Sequence, residues 1–132
     1  MSADPGVTRV TSGSPFETTI GFSRAIRAGE RVIVSGTAPI WPDGSCADDA
    51  GDQARRCFEI IGEALLSVGA SLGQVVRTRM YLVSTDDAEA VGSVHGEVFA
   101  GTRPAATMVV VSALLDPRWK VEIEAEAVVT AG

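Results

Sequence analysis

Apolar side chains recur along this chain with two periods, and each change of period marks an element. The first stretch, Ser2 to Glu17, mixes Asp, Pro, Gly, Ser and Thr around one strand-like island, Val7-Thr8-Arg9-Val10. It predicts a short edge strand followed by a loop. β-Branched and aromatic residues then run from Phe22 to Ile26 and from Arg31 to Val34, on either side of Ala28-Gly29-Glu30. Glycine tolerates the positive φ of a tight turn, so the two runs read as a hairpin. Ser35-Gly36-Thr37-Ala38-Pro39 ends the second strand, and Pro39 to Asp49 reads as a loop.

Between Asp52 and Val68 the period lengthens: Ala54, Cys57, Phe58, Ile61, Ala64, Leu65 and Val68 recur at three- and four-residue steps. That is one apolar stripe of a helix, which Asp49 or Asp52 can cap and Gly69 can terminate. From Val75 to Val83 alternation returns, placing Val75, Arg77, Arg79, Tyr81 and Val83 on one face and Val76, Thr78, Met80 and Leu82 on the other. A second helix is expected from Asp87 to Phe99, turning Ala88, Val91, His95, Val98 and Phe99 to the core until Thr102-Arg103-Pro104 breaks it. Two strands follow, Ala106 to Ser112 and Trp119 to Val129, joined by a loop containing Asp116-Pro117. Met108 to Val111 is apolar on both faces and predicts a central strand covered on both sides. The last strand alternates, with Glu122, Glu124 and Glu126 opposite Val121, Ile123, Ala125 and Ala127. The order βββαβαββ predicts a single α+β domain over residues 1–132, both helices on one face of a mixed sheet.

Composition adds a question about the other face. The chain has 132 residues, 45% hydrophobic and only 5% aromatic, so small aliphatic side chains must build the core. With the helices on one side, Val32, Val34 and the Met108 to Val111 run are expected to leave apolar surface that favours self-association. Charged groups half-buried there need partners. The Glu122/Glu124/Glu126 row with Arg77 and Arg79 is thus either a cross-strand ion-pair ladder or part of a pocket at a subunit junction.

Several classes are disfavoured. Apolar runs of a few residues fall far short of the roughly 20 that span a bilayer, and Met1-Ser2-Ala3-Asp4-Pro5 has an acid where a secretory leader carries its basic region. A cytoplasmic location without membrane association is expected. Cys46 and Cys57 read as free thiols. A net charge of −6 without Lys/Arg clusters argues against nucleic acid, whose affinity rests on counterion release by basic groups. His95, the only histidine, reads as a core-edge residue, and no ligand cluster suggests a metal. Gly-x-Ser-x-Gly, Gly-x-Gly-x-x-Gly and Gly-Lys-Ser/Thr motifs are absent.

A set of ordered landmarks then carries a likeness: Val32-Ile33-Val34-Ser35-Gly36, Gln53, Gly69-Ala70-Ser71, Val75-Val76-Arg77-Thr78, Arg103-Pro104-Ala105 and Val121-Glu122-Ile123-Glu124-Ala125. From about Val7 to Val129 the chain resembles the Rid family of reactive intermediate deaminases, also called the RidA/YjgF family. The resemblance implies a chorismate-mutase-like fold, a homotrimer with a pocket at each subunit junction, and no metal or organic cofactor. It implies a small-molecule metabolite as ligand, and hydrolysis of enamines and imines to carbonyl compounds and ammonia. The archetypal site holds a substrate carboxylate with the arginine of a Pro-Ala-Arg-Ser/Thr segment. Here that segment reads Pro104-Ala105-Ala106-Thr107, so Ala106 stands at the arginine position. A methyl group cannot take the charge-assisted bonds an arginine fork offers a carboxylate. By the same resemblance Phe22 corresponds to a pocket-closing Tyr and Glu124 to the carboxylate that positions water. Backbone near Gly36 and Ala105 would frame the substrate. Arg24 and Arg79 are the candidate replacements for the anion anchor, with Arg103 beside the lost position. A non-catalytic ligand-binding or interaction trimer is the competing class, and an endoribonuclease is a weaker third because the chain is acidic.

Overall fold

Six strands form one sheet in the order β1-β2-β3-β6-β4-β5. They are β1 (Val7–Val10), β2 (Ala25–Ala28), β3 (Arg31–Thr37), β4 (Val75–Leu82), β5 (Ala105–Val110) and β6 (Val121–Val128). Helix α1 (Ala50–Leu66) follows β3, and α2 (Ala88–Val98) lies between β4 and β5. This is the order of elements the hydrophobic pattern predicts. The computed structural model describes residues 6–130, so the reading of Met1 to Pro5 lies outside the described residues. Only β4 and β5 pair in parallel. Parallel neighbours need a crossover, and α2 supplies it.

The helix stripes pack on one face of this sheet. Asp49 is the cap of α1, its carboxylate accepting the Asp52 N–H at 2.9 Å, which starts the helix two residues before the predicted Asp52. Gly69, at φ +80°, turns the chain out of the helix, and Ala70 N–H closes on Leu65 O at 2.9 Å. Ala54, Cys57, Phe58, Ile61, Ala64 and Leu65 are buried as expected. Helix α2 contributes Val91 and also Val94, which lies outside the predicted stripe, and the chain adds Phe99 just beyond it. His95 stays half-buried at the rim. On β6 the alternation holds throughout: Val121, Ile123, Ala125 and Ala127 are buried against the helices. The three glutamates take the open face.

Gln53 ties these layers together. It is fully buried in α1, where its Nε2 donates to Ala47 O at 2.7 Å and Arg118 O at 2.9 Å. Its Oε1 accepts the Lys120 N–H at 2.7 Å. One amide thereby anchors the loop before α1 and the residue that leads into β6.

Five expectations need correction. Val32 and Val34 are buried, not exposed, because the pairing of Val34 with Ala125 puts them on the helix side and turns Ile33 outward. In β4 a bulge between Val75 and Arg77 sets Val75 inward and leaves Val76 exposed, reversing both. Beyond the bulge, Thr78, Met80 and Leu82 are buried as predicted. The Met108 to Val111 run belongs to an edge strand: β5 pairs with β4 alone, and Val109 and Val110 are exposed. An apolar run says that a strand is to be covered, not by what. Finally, β2 begins at Ala25, since a π-helical turn, Glu17–Gly21, carries the chain to Phe22. The last strand begins at Val121 instead of Trp119. Among the described residues no helix is long and apolar enough to cross a membrane.

Candidate functional site

The irregularity that builds the site is in β3. Val34 pairs with Ala125 and Thr37 with Ile123, so Ser35 and Gly36 share the space opposite one residue, Glu124. Such bulges bend a strand and re-aim what it carries. Ser35 is fixed on both sides, its N–H donating to Arg24 O at 3.0 Å and its hydroxyl to Ser23 O at 2.7 Å. The bulge lays the bare Cα of Gly36 against the Glu122 side chain, and a Cβ there would overlap Glu122 Oε2. A larger residue here would have to push the end of the Glu122 side chain aside.

Arg24 completes the cluster from the extended segment that precedes β2. Its Nη2 donates to Gly36 O at 2.6 Å, and its guanidinium lies 5.9 Å from the centre of the Phe22 ring. Its Nε is buried without a partner among the described residues. Burial lowers the Arg24 pKa, while the charges of Glu17 and Glu122 pull it back up. Glu17 sits in the π-helical turn. Burial works to raise its carboxyl, but Ser12 and Thr11 donate to it and hold it below its ordinary value. Glu122 is displaced the other way. Burial raises its pKa and the neighbouring Glu124 adds to the effect, against the pull of Arg24. Among the described residues no group donates a hydrogen bond to Glu122. A carboxyl held above its ordinary value, next to a cation it does not pair with, can give and take a proton.

The rest of the row is different. Arg79 faces Glu124 across the β4–β6 ladder, Nη1 to Oε2 at 3.4 Å, and the Tyr81 hydroxyl donates to Glu124 Oε1. Arg31 reaches Glu126 at 3.7 Å. The two readings of the row therefore divide by residue: Glu124 and Glu126 belong to an ion-pair ladder, and Glu122 stands outside it.

The expected site residues thus fall into separate groups. Phe22, Arg24 and Gly36 converge, and the carboxylate they meet is Glu122. Glu124 is engaged with Arg79 and Tyr81. Ala105 and Thr107 lie on β5 beside Arg77 and Arg79. Ala106 pairs with Thr78, on the helix side of the sheet. Strands β6 and β4 separate β5 from β3, so one chain does not bring Ala105, Ala106 and Thr107 to Gly36. Sequence reasoning misses Glu122 because three alternating glutamates look alike, and only the bulged glycine across the ladder distinguishes one of them. The hollows of the isolated chain lie elsewhere. One of about 460 Å³ is lined by Trp41, Cys46, Arg55 and Arg56, whose arginines are paired to Glu97 and Glu59. Another, of about 400 Å³, lies between His95 and Arg103. Both arginines of the larger hollow are spent on ion pairs, whereas the Gly36 cluster holds an Arg24 whose buried Nε has no partner among the described residues, so that cluster is the better candidate for chemistry. Among the described residues no group of three or more His, Cys, Asp or Glu could hold a metal ion.

Known proteins share this arrangement of elements. A structure of Rv2704 from Mycobacterium tuberculosis, described as a member of the YjgF/YER057c/UK114 family, superposes with a TM-score of 0.86 at 43% identity, covering 93% of this chain and 99% of that one. The mouse protein named 2-iminobutanoate/2-iminopropanoate deaminase is 29% identical over 126 residues, 92% of each chain. Escherichia coli TdcF, in a structure with bound serine, matches at TM-score 0.79 and 25% identity, over 92% of this chain and 94% of its own. The family model described as Endoribonuclease L-PSP matches residues 13–129, and with the landmarks and fold above it places the chain in that family, the YjgF/RidA family.

Proposed function

We propose that this protein is a RidA-like homotrimer that binds a small imine- or enamine-bearing metabolite at its subunit junctions and hydrolyses it to a carbonyl compound and ammonia without a cofactor. The observation that carries the reading is Glu122: half-buried, raised in pKa, its carboxyl without a hydrogen-bond donor among the described residues, and set over Gly36 beside Arg24. The protonated carboxyl gives its proton to the enamine carbon and generates an iminium ion. The resulting carboxylate takes a proton from the water that attacks the C=N carbon. Collapse of the carbinolamine releases ammonia and leaves C=O. Arg24 supplies the cation that Ala106 lacks, and Phe22 covers one side of it.

The name of the mouse relative supports the reaction class. The serine bound to TdcF supports a ligand that carries both a carboxylate and a nitrogen. The homotrimer is supported by the free edge of β5, which exposes Val109 and Val110 and bears Ala105, Ala106 and Thr107 away from Gly36 of its own chain. A second copy could join the two halves.

The test is to generate 2-aminoacrylate with a dehydratase and follow its loss with and without the protein. Acceleration is expected. Glu122→Gln should remove about a hundredfold or more of it, the scale of a positioned acid–base group. Glu124→Gln should keep most of the rate. Equal losses in both variants would return the role to Glu124 or to neither. Ala106 favours the alternative, a trimer that binds ligand without turning it over; on that reading the parent is inert and Ala106→Arg gains activity. The endoribonuclease in the family description is disfavoured by the net charge of −6.

A further inference from the structure

Arg103 occupies a backbone position that suits glycine. Among the described residues it is the only non-glycine with positive φ, +49°. It sits where α2 ends, its N–H donating to Phe99 O at 2.8 Å in the manner of a left-handed helix stop. A side chain with a Cβ is strained there, and such strain persists where the side chain is wanted. No acid pairs with its guanidinium among the described residues. Glu97, close by on α2, is committed to Arg55 at 2.7 Å.

Arg103 also borders the hollow of about 400 Å³ lined by His95, Gly96, Phe99, Ala100 and Pro104. His95 is oriented from behind: its Nε2 lies 2.8 Å from Oγ1 of the fully buried Thr78, and its ring packs against Phe58 and Phe99. Thr78 has no other side-chain partner among the described residues. If Nε2 held the proton, the buried hydroxyl hydrogen would lack an acceptor. The hydroxyl therefore donates to Nε2, and Nδ1 carries the imidazole proton. His95 and Arg103 thus each bring a donor, one of them cationic, to the lining of a hollow that also contains Phe99, Ala100 and Pro104. At this end of α2 the Phe99 N–H is bonded to His95 O, and the Thr102 and Arg103 N–H groups to Phe99 O, so attraction for an anion comes from the Arg103 charge and the His95 donor and not from the helix end.

We propose that the hollow between His95 and Arg103 binds a small aliphatic monocarboxylate, its anionic group held by the Arg103 guanidinium and the His95 Nδ1–H. It belongs to the helix side of the sheet, away from Glu122, and does not depend on C=N hydrolysis.

His95 is the only histidine, so its imidazole resonances report on the hollow without assignment of other signals. The full-length protein is titrated with butyrate at constant ionic strength and neutral pH, with butanamide as the uncharged counterpart. A saturable shift with butyrate and none with butanamide is expected. Arg103→Gly removes the guanidinium while accepting φ +49°, so it should fold and melt no lower than the parent, yet bind butyrate about tenfold more weakly or worse. The proposal is overturned by an absent or non-saturable butyrate shift, by an equal response to butanamide, or by unchanged affinity in Arg103→Gly.

Discussion

Glu122 carries its charge at a cost, because it is half-buried and no cation forms an ion pair with it among the described residues, whereas Glu124 and Glu126 have cationic neighbours within 4 Å. The sign of that cost can be tested. A carboxyl whose folded pKa lies above its unfolded value binds the proton more tightly when folded. The folded state therefore loses stability as pH rises from the ordinary value near 4.5 through the raised one, and the full cost is present above it. Glu122→Gln should melt higher than the parent at neutral pH, with the difference closing as the pH falls to about 4. A gain that is the same at every pH would mean that the residue's titration is not its source. Stability and chemistry then pull in opposite directions at one side chain, as expected where a group is kept ready for proton transfer.

Among the elements, α1 organises the site from a distance. Its Gln53 fixes the entry to β6, and Glu122 is the second residue of that strand. Gln53→Leu would fill the same space but strand the Lys120 N–H and the Ala47 and Arg118 carbonyls. At about 1–3 kcal/mol for a buried group left unmatched, a loss of about 2–4 kcal/mol is expected from denaturant unfolding. A change under about 0.5 kcal/mol would show that water replaces the amide freely. The first helix was legible in the sequence because only a helix gathers seven apolar side chains, from Ala54 to Val68, onto one side at three- and four-residue steps. Strand β6 was legible for the parallel reason, its period of two. What stayed hidden were departures from strict alternation. The bulge that turns Val75 inward and the one that crowds Ser35 and Gly36 leave no mark in composition, since each depends on the partner strand. The ladder partners that separate Glu122 from Glu124 are likewise set by register, which strands far apart in sequence determine together.

For the whole molecule, the surplus of apolar side chains is divided between the helix-covered core and the outer surface. Leu115, Leu66 and Ile20 are exposed, as are Val109 and Val110 on the edge strand β5. An unprotected apolar edge is a site of association. The expected solution mass is three times that of the 13.7 kDa chain, and Val109→Asp should lower it towards the monomer. A parent that sediments as a monomer at micromolar concentration would remove the junction pocket from the proposed function. It would leave the His95–Arg103 hollow untouched, because every group of that hollow comes from one chain.

Strand β3 holds one residue more than its ladder needs. With Gly36 deleted, Ser35 would stand opposite Glu124 and Thr37 opposite Ile123 in an unbroken run, and neither face of the sheet would change its side chains. The carbonyl that receives Arg24 and the space occupied by Glu122 would go with it. Loss of a single codon should thus yield a chain with the parent's circular dichroism and assembly but no turnover. By the same token, the chemistry proposed for the Gly36 cluster is exposed to small deletions that folding itself would not detect, and the Gly36-deleted protein is the fold-matched blank for any activity measured in the parent.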